Sequence, residues 1–127
     1  MQTGRCECGA VAFEVTGARK EISMCHCGQC RRTSGHYWAA TSAPMDQLKF
    51  TNDAGLKWFN SSAWAKRGFC SECGSSLFYR MNEDANIGIA AGCMAEPNDF
   101  VAGRHIFCAD KGGYYEIADD APHIAKY

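Results

Sequence analysis

Apolar and polar residues alternate with a period of two over much of this chain. In Ala10-Val11-Ala12-Phe13-Glu14-Val15, the residues Val11, Phe13 and Val15 share one face, and the run stops at Thr16-Gly17. Residues 37–41, 48–51, 57–60, 76–80 and 86–91 are further short strand candidates, separated by the Gly, Asn, Asp or Pro that turns require. A C-terminal pair of strands, 105–108 and 114–117, brackets Lys111-Gly112-Gly113. Helix is confined to a turn at 28–34 and another near 45–47. Many short strands between regular turns predict a mainly β domain. Trp38, Trp58, Trp64, Phe69, Phe78 and Phe107 read as its core, and the isolated Cys93 and Cys108 as buried, inert thiols.

The cysteines change this picture. Seven of the nine fall into three tight clusters: Cys6 and Cys8, then Cys25, Cys27 and Cys30, then Cys70 and Cys73. Short C-x-C and C-x-x-C spacings aim two sulfurs at one spot, as a soft tetrahedral metal requires. Zinc takes four such ligands in a structural site and three, with an open position, where it does chemistry. The simplest division makes Cys6, Cys8, Cys70 and Cys73 one closed set and Cys25, Cys27 and Cys30 one open set. Spacing leaves other groupings open, the second cluster with the third among them. A Gly follows the second cysteine of both knuckles, at Gly9 and Gly74, where a chain turning its amides toward sulfur tends to need positive φ. His26, between two ligand candidates, points away from the metal. His36 and His105 are the candidates for a distant fourth ligand.

A chain of 127 residues fits one domain, 1–127. Thirteen basic and fourteen acidic residues leave a formal charge of -1, which supplies no field for a phosphate backbone and argues against a nucleic-acid partner. Seven thiolates and two zinc ions would add roughly three more negative charges. Arg31-Arg32 and Lys66-Arg67 stand beside the clusters to offset them, and Arg31 and Arg32 can also meet an anionic substrate. No signal-like segment opens the sequence, and no run approaches the length of a membrane span. An odd cysteine count without such a segment predicts a reducing cytoplasm, where clustered thiols hold metal. Glu83-Asp84 and Asp119-Asp120 read as solvated acids.

Four ordered motifs carry a resemblance. Gly-x-Cys-x-Cys-Gly-x-Val-x-Phe spans 4–13, Cys-His-Cys-x-x-Cys-x-x-x-Ser-Gly spans 25–35, Arg-Gly-Phe-Cys-x-x-Cys-Gly-Ser-x-Leu spans 67–77, and His-Ile-Phe spans 105–107. This order resembles the glutathione-dependent formaldehyde-activating enzymes, the centromere protein V/GFA domain. The resemblance implies an Mss4-like β-tent of several small antiparallel sheets tied by two zinc sites. It also implies structural zinc at Cys6, Cys8, Cys70 and Cys73, and catalytic zinc at Cys25, Cys27 and Cys30. The activity implied is that of a carbon–sulfur lyase acting on the glutathione adduct of a small aldehyde. Cys93 and the Tyr114-Tyr115 pair stand where relatives often carry Asp and Trp.

Three functions compete. A thiol at the open position of a Cys₃ zinc would have its pKa lowered beside a carbonyl, giving the lyase. Water at that position would give a hydrolase of imines or similar small electrophiles. A fourth protein ligand there would leave a non-catalytic, zinc-stabilised binding module.

Overall fold

In the computed structural model, which describes residues 1–127, two sheets are built from ten strands. β1 (Gln2–Arg5), β2 (Ala12–Val15) and β5 (Leu48–Asn52) form a three-stranded antiparallel sheet in the order β1-β2-β5. The other seven are β3 (Glu21–Cys25), β4 (Trp38–Pro44), β6 (Leu56–Phe59), β7 (Ala65–Cys70), β8 (Ser76–Met81), β9 (Asn86–Ala90) and β10 (Val101–Ile106). They run in the order β10-β3-β4-β9-β8-β7-β6. Every pair is antiparallel except β10 with β3, which is parallel.

The period-two face of 10–15 is the inner face of the small sheet. Val11, Phe13 and Val15 are buried there against Leu77, Phe78, Ile87 and Ile89 of the large one. Phe78 is the centre of this core, with Phe13 edge-on to it at 5.4 Å and Phe50 at 5.7 Å. Such aromatic pairs add about 0.5–1.5 kcal/mol each beyond their buried area. Cys6 and Cys70 belong to the same buried cluster, so one group of sulfurs sits where the two sheets meet.

The single α-helix, α1 (Gly28–Ser34), lies at the expected 28–34. Cys27 is its N-cap, its sulfur accepting from the Cys30 N–H at 3.3 Å, and Gly35 ends it at φ 90°. The expected short turn at 45–47 is a 3₁₀ helix.

Three strands carry no plain period-two signal. β1 has no large apolar residue. It packs because Gly4 lies under Phe13, where a Cβ would stand 2.3 Å from the ring. In β3 only Ile22 and Met24 alternate before the cysteines begin, and β7 turns Arg67 inward. One expected pair is absent. β10 ends at Ile106 because Phe107 takes a left-handed conformation at φ 54°, and a 3₁₀ turn follows at Cys108–Asp110. Residues 114–117 therefore form no strand. Instead, 122–125 run beside the end of β10, with His105 N–H donating to Pro122 O at 2.8 Å and Ile124 N–H to His105 O at 2.9 Å. Trp64, expected in the core, is 63% exposed in the β6–β7 turn. Cys93 and Cys108 are half-buried.

Candidate metal centres

Cys6 and Cys8 sit in the loop joining β1 to β2, Cys70 ends β7, and Cys73 lies in the turn to β8. Their four sulfurs come within 4.8 Å of one another. The Cys6–Cys8 and Cys8–Cys70 sulfur separations are both 3.7 Å. Four sulfurs set tetrahedrally at about 2.3 Å from one ion lie about 3.8 Å apart, whereas a disulfide brings two to about 2.05 Å. The donor set therefore fits one soft cation and not a cross-link. Backbone amides already point at the sulfurs, Val11 N–H at Cys6 (3.3 Å) and Cys73 N–H at Cys70 (3.5 Å). Gly9 and Gly74 take φ values of 82° and 80°, the left-handed turns expected after each knuckle. Gly55 completes the cradle. A Cβ there would stand 2.9 Å from the Cys70 sulfur and 2.8 Å from the Ala10 side chain.

The second set is local. Cys25 ends β3, Cys27 caps α1 and Cys30 lies in its first turn, and their sulfurs also converge within 4.8 Å. The Cys25 and Cys30 sulfurs lie within 4.8 Å of each other. That contact, with the neighbouring Arg67 charge, outweighs burial and pulls the Cys30 pKa down to about 6. Cys25 is pushed far above the ordinary thiol range, first by that same contact and then by burial. One sulfur ionises readily and its neighbour resists, a conflict that a divalent cation among them resolves.

Arg67, expected to offset the cluster it adjoins in sequence, serves the Cys25–Cys27–Cys30 set instead. Only 6% exposed, it reaches inward from β7 and donates through Nη2 to the Cys30 sulfur at 3.3 Å and through Nε to Gln29 Oε1 at 2.8 Å. Its guanidinium lies 4.9 Å from the Tyr79 ring centroid and 5.6 Å from that of Trp38. Its Nη1 is buried without a partner, as is Trp38 Nε1. Lys66, paired with it in sequence, instead lies over Trp58 at 4.5 Å. Arg31 and Arg32 occupy the last turn of α1, where cations complement the helix dipole. Arg31 is half-buried and its Nε is unpartnered, while Arg32 is exposed. A cleft of about 920 Å³ runs from Cys6 and β1 to Trp38, Ala90 and Cys93, which pack round this sulfur cluster, but Cys25, Cys27 and Cys30 do not line it.

The candidates for a fourth ligand point elsewhere. His26 is fully buried and aimed away from the sulfurs, with Nδ1 on the Tyr115 hydroxyl at 2.6 Å and Nε2 on His105 Nδ1 at 2.8 Å. His105 Nδ1 meets His26 and its Nε2 meets the Asp119 carboxylate at 2.9 Å, so both ring nitrogens face partners other than the sulfurs. His36 hydrogen-bonds the Tyr114 hydroxyl. Asp119, read from sequence as a solvated acid, thus anchors a chain of four side chains. The hydrogen bond from His105 holds its pKa below the usual carboxylate value.

The family profile described as glutathione-dependent formaldehyde-activating enzyme matches residues 1–110. The chain belongs to this family. A protein of the fission yeast Schizosaccharomyces pombe, described as an uncharacterised lyase, is 29% identical over 83 residues. That match covers 65% of this chain and 60% of the yeast protein, so less than two-thirds of that relative's length is represented. A crystal structure of a Rhodobacter sphaeroides protein superposes with a TM-score of 0.65 at 27% identity, covering 76% of this chain and 90% of that one. The mainly β fold is the one that the formaldehyde-activating family implied. Both cysteine sets lie inside the matched residues.

Proposed function

We propose that this protein is a zinc-dependent carbon–sulfur lyase that handles the adduct of a small aldehyde with a glutathione-like thiol, at Cys25, Cys27 and Cys30. The observation that supports it most is the incomplete donor set. Three sulfurs converge, while both nearby candidates for a fourth ligand, His36 and His105, hydrogen-bond elsewhere. A zinc ion held there would supply a Lewis acid that favours the thiolate form of an incoming thiol.

The chain's own groups would do the rest. Arg67, fixed by Gln29 and stacked between Tyr79 and Trp38, offsets the charge of the sulfurs. Its free Nη1 offers a buried donor for the oxygen of the aldehyde or of its adduct. A donor preset where negative charge develops needs no reorganisation during reaction. Arg31 and Arg32, one and two residues past Cys30, would meet carboxylates such as those of glutathione. Cys6, Cys8, Cys70 and Cys73 would hold a second zinc whose role is structural.

Cobalt in place of zinc makes the reading testable. Glutathione should strengthen the sulfur-to-cobalt charge-transfer band, because the thiol adds a fourth sulfur, and S-methylglutathione should not. No spectral change at millimolar glutathione would remove the lyase and favour the hydrolase of imines or the binding module.

A further inference from the structure

The cysteines do not exhaust the metal donors of this chain. At the end of β10, a ring nitrogen of His105, a carboxylate oxygen of Asp119 and a ring nitrogen of His123 lie within 4.8 Å of one another. We propose that His105, Asp119 and His123 form a third metal site, for a divalent transition ion, that clasps the C-terminal segment to β10.

The donor set selects the class of ion. Two imidazoles and one carboxylate suit zinc, nickel, cobalt or iron, whereas magnesium and calcium take oxygen ligands. Two neutral imidazoles and one carboxylate carry a single negative charge, so a bound dication leaves a net positive site that water can complete.

The frame holding the donors is already built. Hydrogen bonds from His105 N–H to Pro122 O and from Ile124 N–H to His105 O place His123 beside His105 in register. The two imidazole rings stand at 88° with centroids 5.2 Å apart. Asp119 is held by the Ala121 N–H, which donates to Oδ1 at 3.0 Å. His105 is 3% exposed and its Nδ1 is hydrogen-bonded to the buried His26, which in turn meets the Tyr115 hydroxyl. Ligating histidines are typically oriented in this way by a hydrogen bond at the other ring nitrogen. The His105–Asp119 contact explains two of the three groups, and the paired backbone brings in the third.

The site uses none of the cysteines as donors and does not rest on the lyase reading, although His105 touches His26, between Cys25 and Cys27. Residues 119–124 form no helix or extended strand, so an ion bound here would fasten a segment otherwise held by a few hydrogen bonds.

The test uses the untagged chain with zinc on its cysteines, titrated with cobalt(II). One further equivalent should bind with weak visible d–d absorption and no sulfur charge-transfer band. His123→Ala and Asp119→Asn, both at exposed positions, should each weaken that binding roughly tenfold or more while leaving the sulfur-bound zinc in place. Three outcomes would overturn the proposal: no cobalt taken up, sulfur charge-transfer bands showing exchange at the cysteines, or an affinity in either variant equal to that of the parent chain.

Discussion

At the residue scale, burial and charge sort nine chemically identical side chains into different roles. Cys93 shows the inert extreme. Burial pushes its pKa up to about 12, and its thiol donates to Ala90 O at 3.0 Å. The folded state therefore prefers the protonated thiol. Its contribution to stability is fully present below the ordinary value of 9.0 and is lost as pH rises from there toward about 12. At pH 8.5, Cys93 should resist iodoacetamide in the native protein and react in urea, as read by peptide mass mapping. Equal labelling in both states would show a thiol open to solvent. Cys30 is its opposite: it is more deeply buried than the half-buried Cys93, yet Cys25 and Arg67 pull its pKa down to about 6. A cysteine's place in the sequence does not decide between these two outcomes; its neighbours do.

At the element scale, the two sulfur sets tie together different amounts of structure. Cys70 ends a strand of the seven-stranded sheet, while Cys6 and Cys8 lie in a loop of the three-stranded one. An ion among them closes a long stretch of chain across the core, and its binding free energy is part of the folding free energy. Cys25, Cys27 and Cys30 are near neighbours, and β3 is already paired on both sides by β10 and β4. Cys70→Ser should therefore abolish or strongly destabilise the fold. Cys27→Ser should keep near-native stability and lose the second metal and the activity. Near-UV circular dichroism and a urea titration separate the two, and equal losses would make both sites structural.

At the scale of the whole molecule, the two sheets meet round the core that includes Cys6 and Cys70, while Cys30 belongs to a smaller cluster beside it. No helix is long and apolar enough to cross a membrane. Titrating the thiols with an organomercurial should release two zinc ions per freshly purified chain, since this reagent counts only sulfur-bound metal. The Cys25–Cys27–Cys30 ion should leave first with the far-UV spectrum intact, and the second should leave together with the fold. Release of one ion, or of both in a single unfolding step, would refute the division into four and three.

Local chemistry was written in the chain. The Val11–Phe13–Val15 face, the capped turn at 28–34 and the left-handed glycines after each knuckle follow from periodicity, capping and φ preference. These act between residues a few positions apart, so a sequence displays them. The convergence of each cysteine set is also foreshadowed by spacing, because two sulfurs two or three residues apart share a direction. What tertiary structure decided depends on partners far away in sequence. Gly4 makes a strand only because Phe13 lies over it, and Phe107 turns the chain away from the expected second C-terminal strand. Arg67 reads as an offset to the neighbouring Cys70 and Cys73 until β7 points it at Cys30, 37 residues away. Asp119 reads as a surface acid until the last residues run along β10 and present it to His105. Pairing of this kind is decided by which buried polar groups find partners once the sheets close, and no local pattern records it.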